Sequence, residues 1–175
     1  MPFFMPAQGF YASDAFPALL TPLNPAGPLA RSRDGLNHQF YERFNYYTAK
    51  GLPLSVPAGA TSDGRSSPRA TWAIVPPSGQ GWLAYVLHDA AYRGVLEIFC
   101  VDGVYRPLMF TKQQSDDLLE EVMRFLGCSD ADVLVTFDAV AKFGQASFDE
   151  DRAKLAAFQQ AAGEGPVVTI GQSVG

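Results

Sequence analysis

His88 is one of two histidines in this 175-residue chain. It is the side chain best suited to moving protons, because an unperturbed imidazole titrates at about 6.5, close to neutral pH. It stands in Leu87-His88-Asp89-Ala90-Ala91-Tyr92-Arg93, with an acid directly after it and a phenol one helical turn on. A histidine working as a general base needs an acid on its far ring nitrogen. Asp89 is badly placed for that, since neighbours on a helix diverge by roughly 100°. The orienting acid must come from elsewhere, and Asp116, near the start of a later helix, is the choice; Asp117 points to a different face. Tyr92 would hydrogen-bond that acid or simply pack. Asp89 is then free to bind a cation beside the histidine. Asp63-Gly64 offers carboxylate and carbonyl oxygens in a tight turn, the ligands a hard cation takes. Plainer readings compete: a helix histidine bonded at the edge of the core, an ordinary Asp-Gly turn, a solvated acidic face after Lys112. Arg65 and Arg69 hold an anion or merely solubilise their loop. His38, among aromatics with no acid at a telling distance, reads as structural.

Apolar spacing gives the elements that must position these groups. Leu83, Val86, Leu87 and Ala90 form one stripe of a helix from Trp82 to Arg93, which leaves Tyr85, His88, Asp89 and Tyr92 on another face. Thr111 opens the next helix with Gln114 at capping-box spacing, and Leu118, Leu119, Val122 and Leu126 are its apolar stripe up to Gly127. Ser129 caps a third helix with Val133, Leu134, Phe137, Val140 and Ala141 inward, stopping at Gly144. Ser147 and Glu150 predict a capping box for a fourth, Phe148 to Ala162. Ahead of these, the aromatic run from His38 to Thr48 reads as a strand, turning at Ala49-Lys50-Gly51 into a second strand, Leu52 to Val56. Residues 58 to 69 read as an ordered loop, and Arg69 to Val75 as a short helix. Val95 to Phe99 and Val101 to Tyr105 form a further hairpin turning at Asp102-Gly103. Val167 to Ile170 is strand-like. The expected class is α+β, with small N-terminal hairpins and about four core helices.

Residues 1–37 precede this as an extended Pro-rich arm, with prolines at 2, 6, 17, 22, 25 and 28. Proline at that density excludes long helices and central strands. Phe3, Phe4, Phe10, Tyr11 and Phe16 nevertheless make the arm apolar, so it needs a surface to lie on, its own domain or another chain. The reading divides the chain into this arm, a single domain 38–162 and a tail 163–175.

Hydrophobic residues make up 47% of the chain, and no apolar run approaches the roughly 20 residues of a membrane-spanning helix. The N-terminus lacks the basic start and apolar centre of a signal peptide. Cys100 and Cys128 are too few for a disulfide framework and read as buried free thiols. An intracellular or particle-borne protein is expected. Residues 1–110 hold 8 Lys/Arg against 7 Asp/Glu, and residues 111–175 hold 5 against 11. So acidic a second half argues against nucleic acid as a partner, because phosphate-backbone binding needs clustered Lys and Arg.

The stretch Val56-Pro57-Ala58-Gly59-Ala60-Thr61-Ser62-Asp63-Gly64-Arg65-Ser66-Ser67-Pro68-Arg69 resembles the signature of domain-of-unknown-function 1353, a family common in tailed-phage genomes. Trp72, Pro76-Pro77-Ser78-Gly79 and Leu87-His88-Asp89-Ala90-Ala91-Tyr92-Arg93 follow in the family's order. Lys112-Gln113-Gln114-Ser115-Asp116 and Ala139-Val140-Ala141-Lys142-Phe143-Gly144 are similar to its later motifs. The resemblance implies a bacteriophage origin: a virion-associated structural or assembly protein of the tail or neck, made in the host cytoplasm, with residues 1–37 embracing other phage structural proteins. A weaker resemblance, in the order loop, His-Asp-x-x-Tyr and distant Asp, is to calcium-dependent phospholipases. It implies the alternative, an acyl hydrolase acting on host envelope lipid. His88 would then be the base, Asp116 its orienter and Tyr92 its support, with Asp89, Asp63 and Gly64 as calcium ligands.

Overall fold

The computed structural model describes residues 7–11, 29–31, 38–40, 42–62 and 81–163. These form an α+β fold of two small antiparallel sheets and four helices.

The larger sheet contains β1 (Gly9–Tyr11), β4 (Phe44–Tyr47), β5 (Pro53–Val56), β7 (Glu97–Phe99) and β8 (Tyr105–Pro107), in the order β1-β4-β5-β7-β8. Alternation along β4 and β5 sets its faces. Phe44 and Tyr46 point into the core with Val56 and Leu54, their register partners, while Asn45 and Ser55 lie opposite each other on the other face. Phe10 of β1 joins the core row beside Tyr46, with ring centroids 4.8 Å apart. Pro53 opens β5 and Pro107 closes β8 at the sheet edge, two places where a missing N–H is tolerated. The smaller sheet has the order β2-β3-β6, built from β2 (Leu29–Arg31), β3 (His38–Phe40) and β6 (Thr61–Ser62). The aromatic run that reads as one strand is thus two, β3 and β4, which join different sheets. Residues 9–11 and 29–31, within the Pro-rich segment, are strands of the chain's own sheets.

The helices are α1 (Trp82–Arg93), α2 (Lys112–Phe125), α3 (Asp130–Phe143) and α4 (Gln145–Ala162). α1 has the predicted bounds, and Gly94 ends it in the left-handed region with φ 68°, its N–H returning to Ala90 and Ala91. A Cβ on Gly94 would lie 2.6 Å from both Arg152 and Leu155, so α4 needs glycine there in order to close on α1. The Thr111–Gln114 capping box starts α2, and Ser129 caps α3 by accepting from the Asp132 N–H. The turn at Asp102-Gly103 is also present, with Gly103 at φ 79°.

Two helix expectations are corrected. α4 begins at Gln145, so Ser147 and Glu150 lie inside it, and Gly144 is at once the end of α3 and the start of α4. On α3 the buried positions are Val133, Thr136, Ala139 and Val140, whereas Leu134 and Ala141 are exposed. Thr136 faces inward because its hydroxyl meets that of Tyr85 at 3.5 Å. The short helix at 69–75 and the strand at 167–170 lie outside the described residues.

Candidate functional site: a buried His-Asp pair

Ten consecutive residues of α1, Leu83 to Tyr92, are buried. The predicted polar stripe therefore borders other elements, not solvent, and each polar group on it must find a partner inside the protein. The stripe divides three ways. His88 and Tyr92, one turn apart, face α2; Tyr85 packs in the core toward Thr136 of α3; Asp89 and Arg93, also one turn apart, meet β6.

Asp116 on α2 is the acid that meets His88. The His88 Nε2 lies 2.9 Å from Asp116 Oδ1, and the Tyr92 hydroxyl donates to the same oxygen at 2.8 Å. Lys112, one turn earlier on α2, donates to Asp116 Oδ2 at 2.6 Å and to the Val140 carbonyl at 3.0 Å. Burial raises the carboxyl's pKa, but the hydrogen bonds from His88, Lys112 and Tyr92 outweigh it and hold Asp116 below the usual carboxylate range. Tyr92 moves the opposite way: burial, then the bond to Asp116 and its charge, push the phenol well above its ordinary value, so it stays a donor. Asp117, the alternative acid, is exposed and accepts from Gln113 at 2.7 Å.

This arrangement fixes the histidine's tautomer. An ionised Asp116 only accepts, so Nε2 carries the proton toward it. In neutral His88 the lone pair is then on Nδ1. That atom is buried and has no hydrogen-bond partner among the described residues, on a side chain 1% exposed. A buried polar atom left unpaired costs about 1–3 kcal/mol, and such an atom calls for an explanation.

The Tyr92 side of the pair is closed by α4. Phe148 stands edge-on to Tyr92 at 5.1 Å between centroids, and Arg152 lies over Phe148 while donating to the carbonyls of Ala91 and Phe110. Gly144 makes this approach possible, since a Cβ there would lie 2.6 Å from the Tyr92 hydroxyl and 2.5 Å from the Val140 carbonyl oxygen. Gly144→Ala is therefore expected to destabilise the protein by about 1–3 kcal/mol, as overpacking does. Urea denaturation checks this. Adding Tyr92→Phe, which removes one of the two clashing atoms, should recover part of the loss, so the two changes should be non-additive.

On its other edge α1 is tied to β6. The Ser62 hydroxyl donates to Asp89 Oδ2 at 2.5 Å, and Arg93 donates to the Thr61 carbonyl. Asp89 is thus buried beside the histidine without bonding it. Asp63 and Gly64, together with Arg65 and Arg69, lie outside the described residues. Among the described residues no group of three or more His, Cys, Asp and Glu side chains is gathered as for a metal ion. His38 contributes its backbone to β3, and its side chain lies outside the description.

Sequence reasoning did not assign roles to Lys112, Ser62 or Arg93. Lys112 has a legible signal, its i,i+4 spacing to Asp116, and Arg93 has the same spacing from Asp89. Nothing local marks Ser62, because its partner is 27 residues away.

A family model described as a protein of unknown function, DUF1353, matches residues 38–140, more than half of the chain and the whole of the His88–Asp116 pair. No curated protein and no solved structure matches.

Proposed function

The chain belongs to the DUF1353 family, and from that premise we propose that it is a hydrolase of acyl esters in which His88 is the general base. The unpartnered Nδ1 of a histidine whose other nitrogen is held by an ionised carboxylate carries this reading. Nδ1 removes a proton from water as the water oxygen attacks the ester carbonyl. Asp116 stabilises the imidazolium that forms, without taking its proton. The imidazolium then returns that proton to the departing alkoxide, giving a carboxylic acid and an alcohol. Tyr92 bonds Asp116 and packs on the His88 ring, and so supports the pair. The substrate class we propose is a membrane phospholipid, on the resemblance of His88-Asp89-x-x-Tyr92 and a distant Asp116 to calcium-dependent phospholipases.

Calcium would supply charge stabilisation at the developing oxyanion, held by Asp89 together with Asp63 and Gly64. The described residues alone do not make a calcium cage. A calcium ion takes six to eight oxygens, whereas Asp89 is one carboxylate already bonded by Ser62, with the Arg93 guanidinium on the adjacent Thr61 carbonyl. No step is therefore routed through the ion. Isothermal titration with calcium, run beside Asp89→Asn, tests this part: saturable binding lost in the variant supports the cation, and its absence removes it. Release of fatty acid from phospholipid vesicles tests the activity itself, and no release with or without calcium overturns the hydrolase.

A second reading, a virion component of the tail or neck, is favoured by the apolar Pro-rich composition of residues 1–37 and by the exposed Phe143 and Phe158 on the α3–α4 surface. It is compatible with hydrolysis, because a particle can carry an enzyme. Finding the chain in purified virions would support it.

A further inference from the structure

Asp116 holds three donors where a His-Asp pair requires one. His88 and Tyr92 share Oδ1, and both come from α1. Among the described residues Lys112 alone occupies Oδ2, and it comes from the same helix as the carboxylate. Its ammonium does not hang free: it also donates to the Val140 carbonyl in the last turn of α3, and the side chain is only 16% exposed.

Two physical consequences follow from that placement. With Oδ2 engaged, the carboxylate cannot turn about its terminal torsion and exchange oxygens, so Oδ1 stays aimed at Nε2. With a full positive charge 2.6 Å from Oδ2, the carboxylate is a weaker acceptor toward the His88 N–H than it would be alone, because an opposite charge at that range favours the ionised form. Fixing α3 through Val140 keeps the ammonium from following solvent. The surface lysine Lys142 also bonds a carboxylate one turn away, on Asp138, but with its side chain 61% exposed.

We propose that Lys112 is a positioning residue for the His88–Asp116 pair: it locks the carboxylate's orientation and limits how strongly that carboxylate pulls on the histidine N–H. This deepens the reading of His88 as the base and rests on it for its catalytic meaning. The geometry itself is tested without turnover.

The readout is the proton resonance of the His88 Nε2–H in the full-length protein, assigned by its absence in His88→Gln. In Lys112→Met the resonance should move downfield as the bond to Asp116 strengthens, and in Lys112→Arg it should return toward its original position. A resonance unmoved in Lys112→Met, with the protein folded, overturns the proposal and leaves Lys112 as a mere link between α2 and α3. If Lys112→Met does not fold, Lys112→Gln makes the same comparison with an uncharged donor. Where ester hydrolysis is measurable, Lys112→Met should lower kcat about ten-fold with KM unchanged, the signature of an orienting partner. A chain that hydrolyses no ester would sink the function of His88, while the resonance would still decide the role of Lys112.

Discussion

His88→Gln should lower the rate of phospholipid hydrolysis by about 10²–10⁴-fold, the contribution expected of one general base. Glutamine is the informative replacement. Its amide N–H can still donate to Asp116, so Tyr92 and Lys112 keep their shared acceptor and α1 its contact with α2. What is lost is the basic lone pair that His88 presents on Nδ1. Fold stability should therefore change by no more than about 1 kcal/mol, within the common range for single substitutions, while turnover collapses. Hydrolysis at the original rate in a folded His88→Gln protein would remove the histidine from the chemistry.

Asp116→Ala should have the larger effect on stability, about 3–5 kcal/mol, the cost of removing one partner from a buried charged pair. Alanine leaves three donors facing an empty place: the His88 Nε2–H, the Tyr92 hydroxyl and the Lys112 ammonium, the last with only the Val140 carbonyl left. The midpoint of urea unfolding measures the loss. Its pH dependence carries a definite sign. Asp116 has a folded pKa held below its unfolded value of about 3.9. Its contribution is therefore present in full above that value and is lost as pH falls through the depressed folded pKa. The gap in stability between the two proteins should be widest at neutral pH and should narrow below about pH 4. A gap that stayed constant into acid would mean that Asp116 acts by packing alone.

The sequence was most legible where signals are local. α1 is framed by a glycine on each side and α2 by a capping box, and both helices fall where spacing puts them. The choice of Asp116 over Asp117 followed from helical phase, since Asp116 precedes the buried Leu118 and Leu119 on the inward side and Asp117 faces water. Legibility failed where distant partners decide. The aromatic run from residue 38 could not reveal that β3 pairs with β2 and β6 while β4 pairs with β1 and β5. Ser147 and Glu150 match a capping box by spacing, but the fold restarts a helix at Gly144, where only hydrogen fits between Tyr92 and Val140. Thr136 looks like a surface residue until Tyr85 arrives from 51 residues away. Within α1, periodicity marked a polar face without saying that it would be enclosed and shared among three neighbours.

The chain distances that close the pair bear on how it assembles. His88 and Asp116 are 28 residues apart, Tyr92 and Asp116 24, and Lys112 and Val140 28. The links from Glu121 on α2 to the sheet span far longer stretches, 75 residues to Tyr46 and 113 to Gln8. Closing a loop costs entropy that grows with its length, and contacts between near segments form fastest. One continuous piece of chain, from α1 through the β7–β8 hairpin and α2 to the end of α3, thus contains every partner of Asp116. That piece can collapse around the carboxylate before the N-terminal strands arrive.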